Sequence, residues 1–119
     1  MNKDVAKKWV KALRSGRYQQ AQGFLKDDTG YCCLGVLCDL YSKETKKGRF
    51  AFDDKTGEIQ FMGDDNESEV LPDEVKEWAG MQTSKGELSS KIDTLADRND
   101  CGATFTEIAS IIERKWEML

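Results

Sequence analysis

The longest stretch almost free of charge in this chain is Tyr31–Tyr41, which reads Tyr-Cys-Cys-Leu-Gly-Val-Leu-Cys-Asp-Leu-Tyr. One-third of the residues are charged (34%), so such a run belongs in the middle of a core. Leu34, Leu37, Cys38 and Tyr41 recur at i, i+3, i+4 and i+7. That spacing predicts one buried face of a helix ending near Ser42. Thr29-Gly30, just before it, marks the tip of a turn that feeds the run.

The flanking segments supply elements to pack on that helix. Asn2 or Asp4 can cap a first helix running to about Arg14, with Val5, Trp9 and Leu13 inward and Lys7, Lys8 and Lys11 in water. Ser15-Gly16 ends it. Residues 23–26 and 30–32 flank Asp27-Asp28-Thr29 as a hairpin, and residues 49–52 and 58–61 bracket Asp53–Gly57 as a second. Residues 63–69 read as a mobile acidic loop. Pro72 suits the first position of a short helix with Val75 and Trp78 inward and Gly80 closing it. Ile92 to Arg98 suits another. Thr104-Phe105-Thr106-Glu107 matches the capping box that opens a last helix through Ile108, Ile111 and Ile112. The expectation is a small α+β fold, a single domain over 1–119 with four to five helices and one or two β-hairpins.

A chain of 119 residues buries roughly two-thirds of its unfolded surface, enough to fold without metals or disulfides. Nothing approaches the roughly 18 apolar residues of a membrane span. The N-terminal residues hold no apolar core of a signal peptide. Four cysteines are then expected as reduced thiols in a cytoplasm. Residues 1–50 carry 11 Lys/Arg against 5 Asp/Glu, a net of +6, while residues 51–100 carry 5 against 14, a net of −9. Such a division suits an anion-binding surface, a self-complementary assembly, or two halves attracting each other across the fold.

Several chemistries have no carriers here. There is no histidine, which removes the commonest general base and zinc ligand. No nucleophile elbow, phosphate loop or dinucleotide glycine pattern appears. The carboxylate pairs Asp27-Asp28, Asp53-Asp54 and Asp64-Asp65 fall at turn tips, where acids are solvated rather than tuned. Cys32 and Cys33 are adjacent, against the usual ligand spacing of structural zinc, so core packing is the expected role of these thiols. No enzyme, cofactor or metal is expected. Asp100-Cys101-Gly102 and the Glu107-Ile108-Ala109 helix look like part of a helix-turn-helix, but no recognition helix follows. With the net charge of −4, duplex nucleic acid is not expected as a partner.

What remains is a basic, carboxylate-poor set: Arg14, Arg17, Tyr18, Gln22 and Lys26, with Arg49 entering the second hairpin. Arginine forks fit phosphate oxygens, tyrosine offers a stacking face, and glutamine can read a base or ribose edge. Together they are the candidate ligand-binding residues for a small anionic nucleotide. Spacing alone favours the plainer role, cations solvating a helix end.

The whole chain resembles a widespread family of small bacteriophage proteins. The resemblance is carried by Ala12-Leu13-Arg14-Ser15-Gly16-x-Tyr18, the Tyr31–Asp39 motif, Leu71-Pro72-Asp73-Glu74-Val75-x-x-Trp78 and Gly102-x-Thr104-Phe105-x-Glu107-Ile108-Ala109. It implies a phage product acting in the host cytoplasm. Small phage proteins of this type include anti-defence sponges, which sequester cyclic nucleotide immune signals without cleaving them. The expectation is therefore a non-enzymatic homo-oligomer that binds such a signal. The alternative is a protein-interaction module that inhibits or recruits a host protein through its acidic face.

Overall fold

In a computed structural model describing residues 1–119, five helices and two antiparallel hairpins are arranged around the cysteine-rich run. The order is α1 (Lys3–Arg14), α2 (Cys33–Thr45), β1 (Arg49–Asp53), β2 (Glu58–Met62), α3 (Asp73–Ala79), β3 (Glu87–Ser90), β4 (Asp93–Thr94), α4 (Leu95–Asp100) and α5 (Phe105–Lys115). A 3-10 turn over Trp116–Met118 follows. The fold is the small α+β class read from the sequence.

Helix α2 is buried around its first two turns rather than along one stripe. Every residue from Cys33 to Cys38 is buried, as is Tyr41. Burial all round identifies a central helix, which an amphipathic reading understates. Its first turn has no side-chain cap of its own. The Cys33 amide instead donates to Asn99 Oδ1 at 3.2 Å, from the far end of the chain. Gly35 lets a neighbouring segment close on the helix, for a Cβ there would sit 1.8 Å from the Leu25 carbonyl oxygen.

Helix α1 behaves as its pattern requires. Asn2 caps it by accepting from the Asp4 and Val5 amides, and Val5, Ala6, Trp9, Val10 and Leu13 are buried. Trp9 donates its indole N–H to the Cys33 carbonyl at 2.9 Å, satisfying the one polar atom it takes into the core. Helix α5 carries the full capping box at Thr104 and Glu107, and packs against α1 more extensively than any other helix does.

Five expectations are corrected. The hairpin over 23–32 does not form a ladder. Tyr31 makes single bridges to Gln20 and Lys26, while the Asp27 carboxylate holds the turn by accepting from the Thr29 and Gly30 amides. The acidic loop at 63–69 is pinned rather than free, since the Phe61 and Glu67 backbones bridge and the Leu25 amide donates to the Ser68 carbonyl at 2.7 Å. Residues 87–94 form an unforeseen small hairpin with Ile92 exposed near its tip, and α4 begins only at Leu95 because Thr94 caps it. Trp78 is half-buried rather than inward, and donates to Glu44 Oε2 at 2.8 Å. Pro72 stands at the N-cap, one residue before the position expected of it.

The aromatic rings form one chain through the molecule. Tyr18, Tyr31, Phe50, Phe61, Tyr41 and Trp78 meet edge-to-face in that order, at centroid separations of 5.1 to 6.2 Å. Its Tyr18 end opens onto the surface described next.

Candidate functional site

A groove of about 760 Å³ runs between the outer faces of α1 and α2. Helix α1 contributes Lys8, Lys11 and Ala12, the segment after it contributes Arg17 and Tyr18, and α2 contributes Asp39, Leu40 and Lys43. Tyr31 closes the wall, set at 87° to the Tyr18 ring with centroids 5.1 Å apart.

The polar centre is Asp39, the single charged residue of the Tyr31–Tyr41 run. Tyr18 donates its hydroxyl to Asp39 Oδ2 at 2.5 Å, and the Lys43 ammonium lies 3.0 Å from the same oxygen. Lys43 also donates to the Tyr18 oxygen at 3.3 Å and stands over the Tyr18 ring, 5.5 Å from its centroid. Burial and the Asp39 carboxylate hold the Tyr18 hydroxyl protonated above its ordinary range. Hydrogen bonds to Asp39 and Tyr18 raise the Lys43 ammonium likewise. At neutral pH Tyr18 is therefore a neutral phenol and Lys43 an ammonium.

Cations beyond this triad differ in how far they are spent. Lys8 pairs with Glu44 across the α1–α2 seam. Lys11 and Arg17 are exposed and form no ion pair. The groove thus offers two free cations at its mouth, a hydrogen-bond acceptor at its floor and two aromatic walls.

The six residues singled out from the sequence are divided by the fold. Arg17 and Tyr18 line the groove. Arg14 points to α5, where Glu113 accepts from both guanidinium nitrogens at 3.0 and 3.3 Å and raises its pKa. Gln22 donates to the Asn99 carbonyl at 3.3 Å, away from the groove. Lys26 lies 4.7 Å from the Tyr31 ring centroid, with its ammonium donating to the Asp27 carbonyl. Arg49 is exposed at the start of β1, opposite Met62, and lines no hollow with the others. Lys11, Tyr31, Asp39 and Lys43 were missed. Asp39 and Lys43, four apart on a helix, carry the one signal that could have found the site: a carboxylate inside an otherwise uncharged run.

The cysteines take no part in it. Cys32, Cys33 and Cys38 are buried and Cys101 is exposed. Burial pushes the Cys32 thiol up to about 11 and lifts those of Cys33 and Cys38 further from ionisation. A nucleophilic cysteine requires the opposite shift.

Residues 1–116 match the model of a family described as a domain of unknown function (DUF8296), and the chain belongs to that family. No curated protein and no solved structure matches it.

Proposed function

We propose that the protein is a non-enzymatic binder of a small anionic nucleotide, held in the groove between α1 and α2. The observation that carries this reading is the meeting of unpaired Lys11 and Arg17 with the Tyr18 and Tyr31 walls and the Asp39 acceptor. Phosphate oxygens suit the two free cations, and a base amino or ribose hydroxyl suits Asp39. A bare inorganic anion would meet the carboxylate with no donor to offer it, so the mixed lining favours a nucleotide. Lys43, more than two-thirds exposed, can leave the Tyr18 face to a base and turn its charge toward phosphate.

The resemblance to small bacteriophage proteins supplies the setting: a host cytoplasm in which a cyclic nucleotide immune signal is sequestered by stoichiometric binding. Sequestering a sub-micromolar signal needs roughly 9–12 kcal/mol of binding free energy. Calorimetry against a panel of cyclic di- and trinucleotides tests this. A member of the panel should bind saturably and be recovered intact after heat denaturation, and Arg17→Glu should abolish the heat. No heat from any member, or recovery of a cleaved ligand, overturns the reading.

A second reading, a module that engages a host protein through its acidic face, is favoured by the field around Glu67. Its carboxyl is raised by burial and then by Asp65, Asp73, Glu69 and Glu74. Recovery of one basic host protein by the wild type, lost on reversal of Asp65 and Glu69, would support that reading.

A further inference from the structure

The β1–β2 hairpin carries an apolar face longer than the core it serves. Phe50 and Phe52 share one face of β1, and they pair across with Phe61 and Ile59. Phe61 is wholly buried and Phe50 half-buried, yet Phe52 is 64% exposed. Beside Phe52 and Ile59 lies Phe24, and the surrounding rim holds Asp27, Asp28 and Glu58 against the single Lys26. Phe52 is thus an exposed aromatic side chain in an acidic setting.

The opposite arrangement lies between α1 and α5. A hollow of about 620 Å³ is floored by Ala6, Val10 and Trp116 and rimmed by Lys3, Lys7, Lys11 and Arg14. Arg14 is paired with Glu113, while the three lysines form no ion pair. Spacing of four residues places their Cα atoms about 6 Å apart along one side of the helix.

We propose that the Phe52 end of the hairpin docks into the α1–α5 hollow of a second copy of this chain. The occupant is chosen by local charge: unpaired Lys3, Lys7 and Lys11 rim the hollow, and Asp27, Asp28 and Glu58 surround Phe52. Because the two surfaces differ, an open row of copies keeps a free hairpin at one end and a free hollow at the other until a ring closes. One phenylalanine buries roughly 150–250 Å², well short of the 1,200 Å² of a standard interface. Rim charges must therefore contribute, so association depends on concentration and weakens with salt. This contact does not depend on the nucleotide reading, since the residues substituted below lie outside the α1–α2 groove.

Sedimentation velocity on the full chain tests it. The wild type should exceed its 13.5 kDa monomer mass as concentration rises and return toward it with added salt. Phe52→Ala should weaken association by at least about tenfold. K3E/K7E and D28K/E58K should each be monomeric alone and associate when mixed, because every contact in the mixture again joins opposite charges. Circular dichroism establishes that each variant is folded, and if a charge-reversed pair is not, Phe52→Ala decides. A wild type that stays at monomer mass at every concentration overturns the contact. So does association that survives Phe52→Ala, or folded charge-reversed partners that ignore each other. At a concentration where the wild type is itself monomeric, so that Lys11 is uncovered in both proteins, nucleotide uptake by K3E/K7E should equal that of the wild type, and failure of assembly and failure of the groove are separately visible.

Discussion

Asn99 is wholly buried, and both ends of its amide are engaged. Its Oδ1 accepts from the Cys33 amide and from Gln20 Nε2 at 2.9 Å, and its Nδ2 donates to the Ala21 carbonyl at 2.9 Å. Gln20 completes the link by donating to the Ala103 carbonyl and accepting from the Phe105 amide. Removing the amide strands a helix N–H and a loop C=O away from water. Asn99→Ala should therefore cost about 2–4 kcal/mol, read as a lower urea midpoint. Glu67 gives a test with the opposite sign. A carboxyl raised by burial and like charge binds its proton more tightly folded than unfolded, so its ionisation weakens the fold at neutral pH. Glu67→Gln should raise the melting temperature at pH 7, and the gain should vanish as pH falls below the ordinary value of 4.5. Thiol labelling supplies a third outcome at this scale. One of the four thiols, Cys101, should react quickly in the native protein, and all four after denaturation.

Elements were legible where the signal was local. The α1 cap, the α5 capping box and the 49–62 hairpin depend on residues a few positions apart, and each formed as read. The α2 start was not legible, because its donor is satisfied by Asn99, 66 residues away. The 87–94 hairpin was also missed, since its four- and two-residue strands are too short to show alternation. Gly35 sat unexplained in the central motif until the fold set the Leu25 backbone against it. Gly35→Ala should cost about 3 kcal/mol or more, because a backbone carbonyl cannot yield as a side chain can. Thr104→Ala, by comparison, should cost about 1 kcal/mol through loss of its cap, measured by thermal unfolding. Two residues of the candidate site followed the same rule. Arg17 and Tyr18 stood out as cations and aromatics without carboxylates, whereas Asp39 and Lys43 reach them only through the packing of α2.

Across the whole molecule, the division of charge seen along the chain becomes two surfaces. The α1 side holds the unpaired lysines, and the residues from Phe52 onward hold the crowded carboxylates. Sequence could show that division but not which cations were already spent on Glu44, Glu113 or Asp39. The α1–α5 packing has a consequence for biosynthesis. A ribosome delivers the first helix long before its chief neighbour, and until that neighbour emerges the face of the helix that packs against it has no permanent cover. Nascent chains stalled before residue 105 should accordingly be captured by chaperones and cut readily by protease, and release of the finished polypeptide should end both.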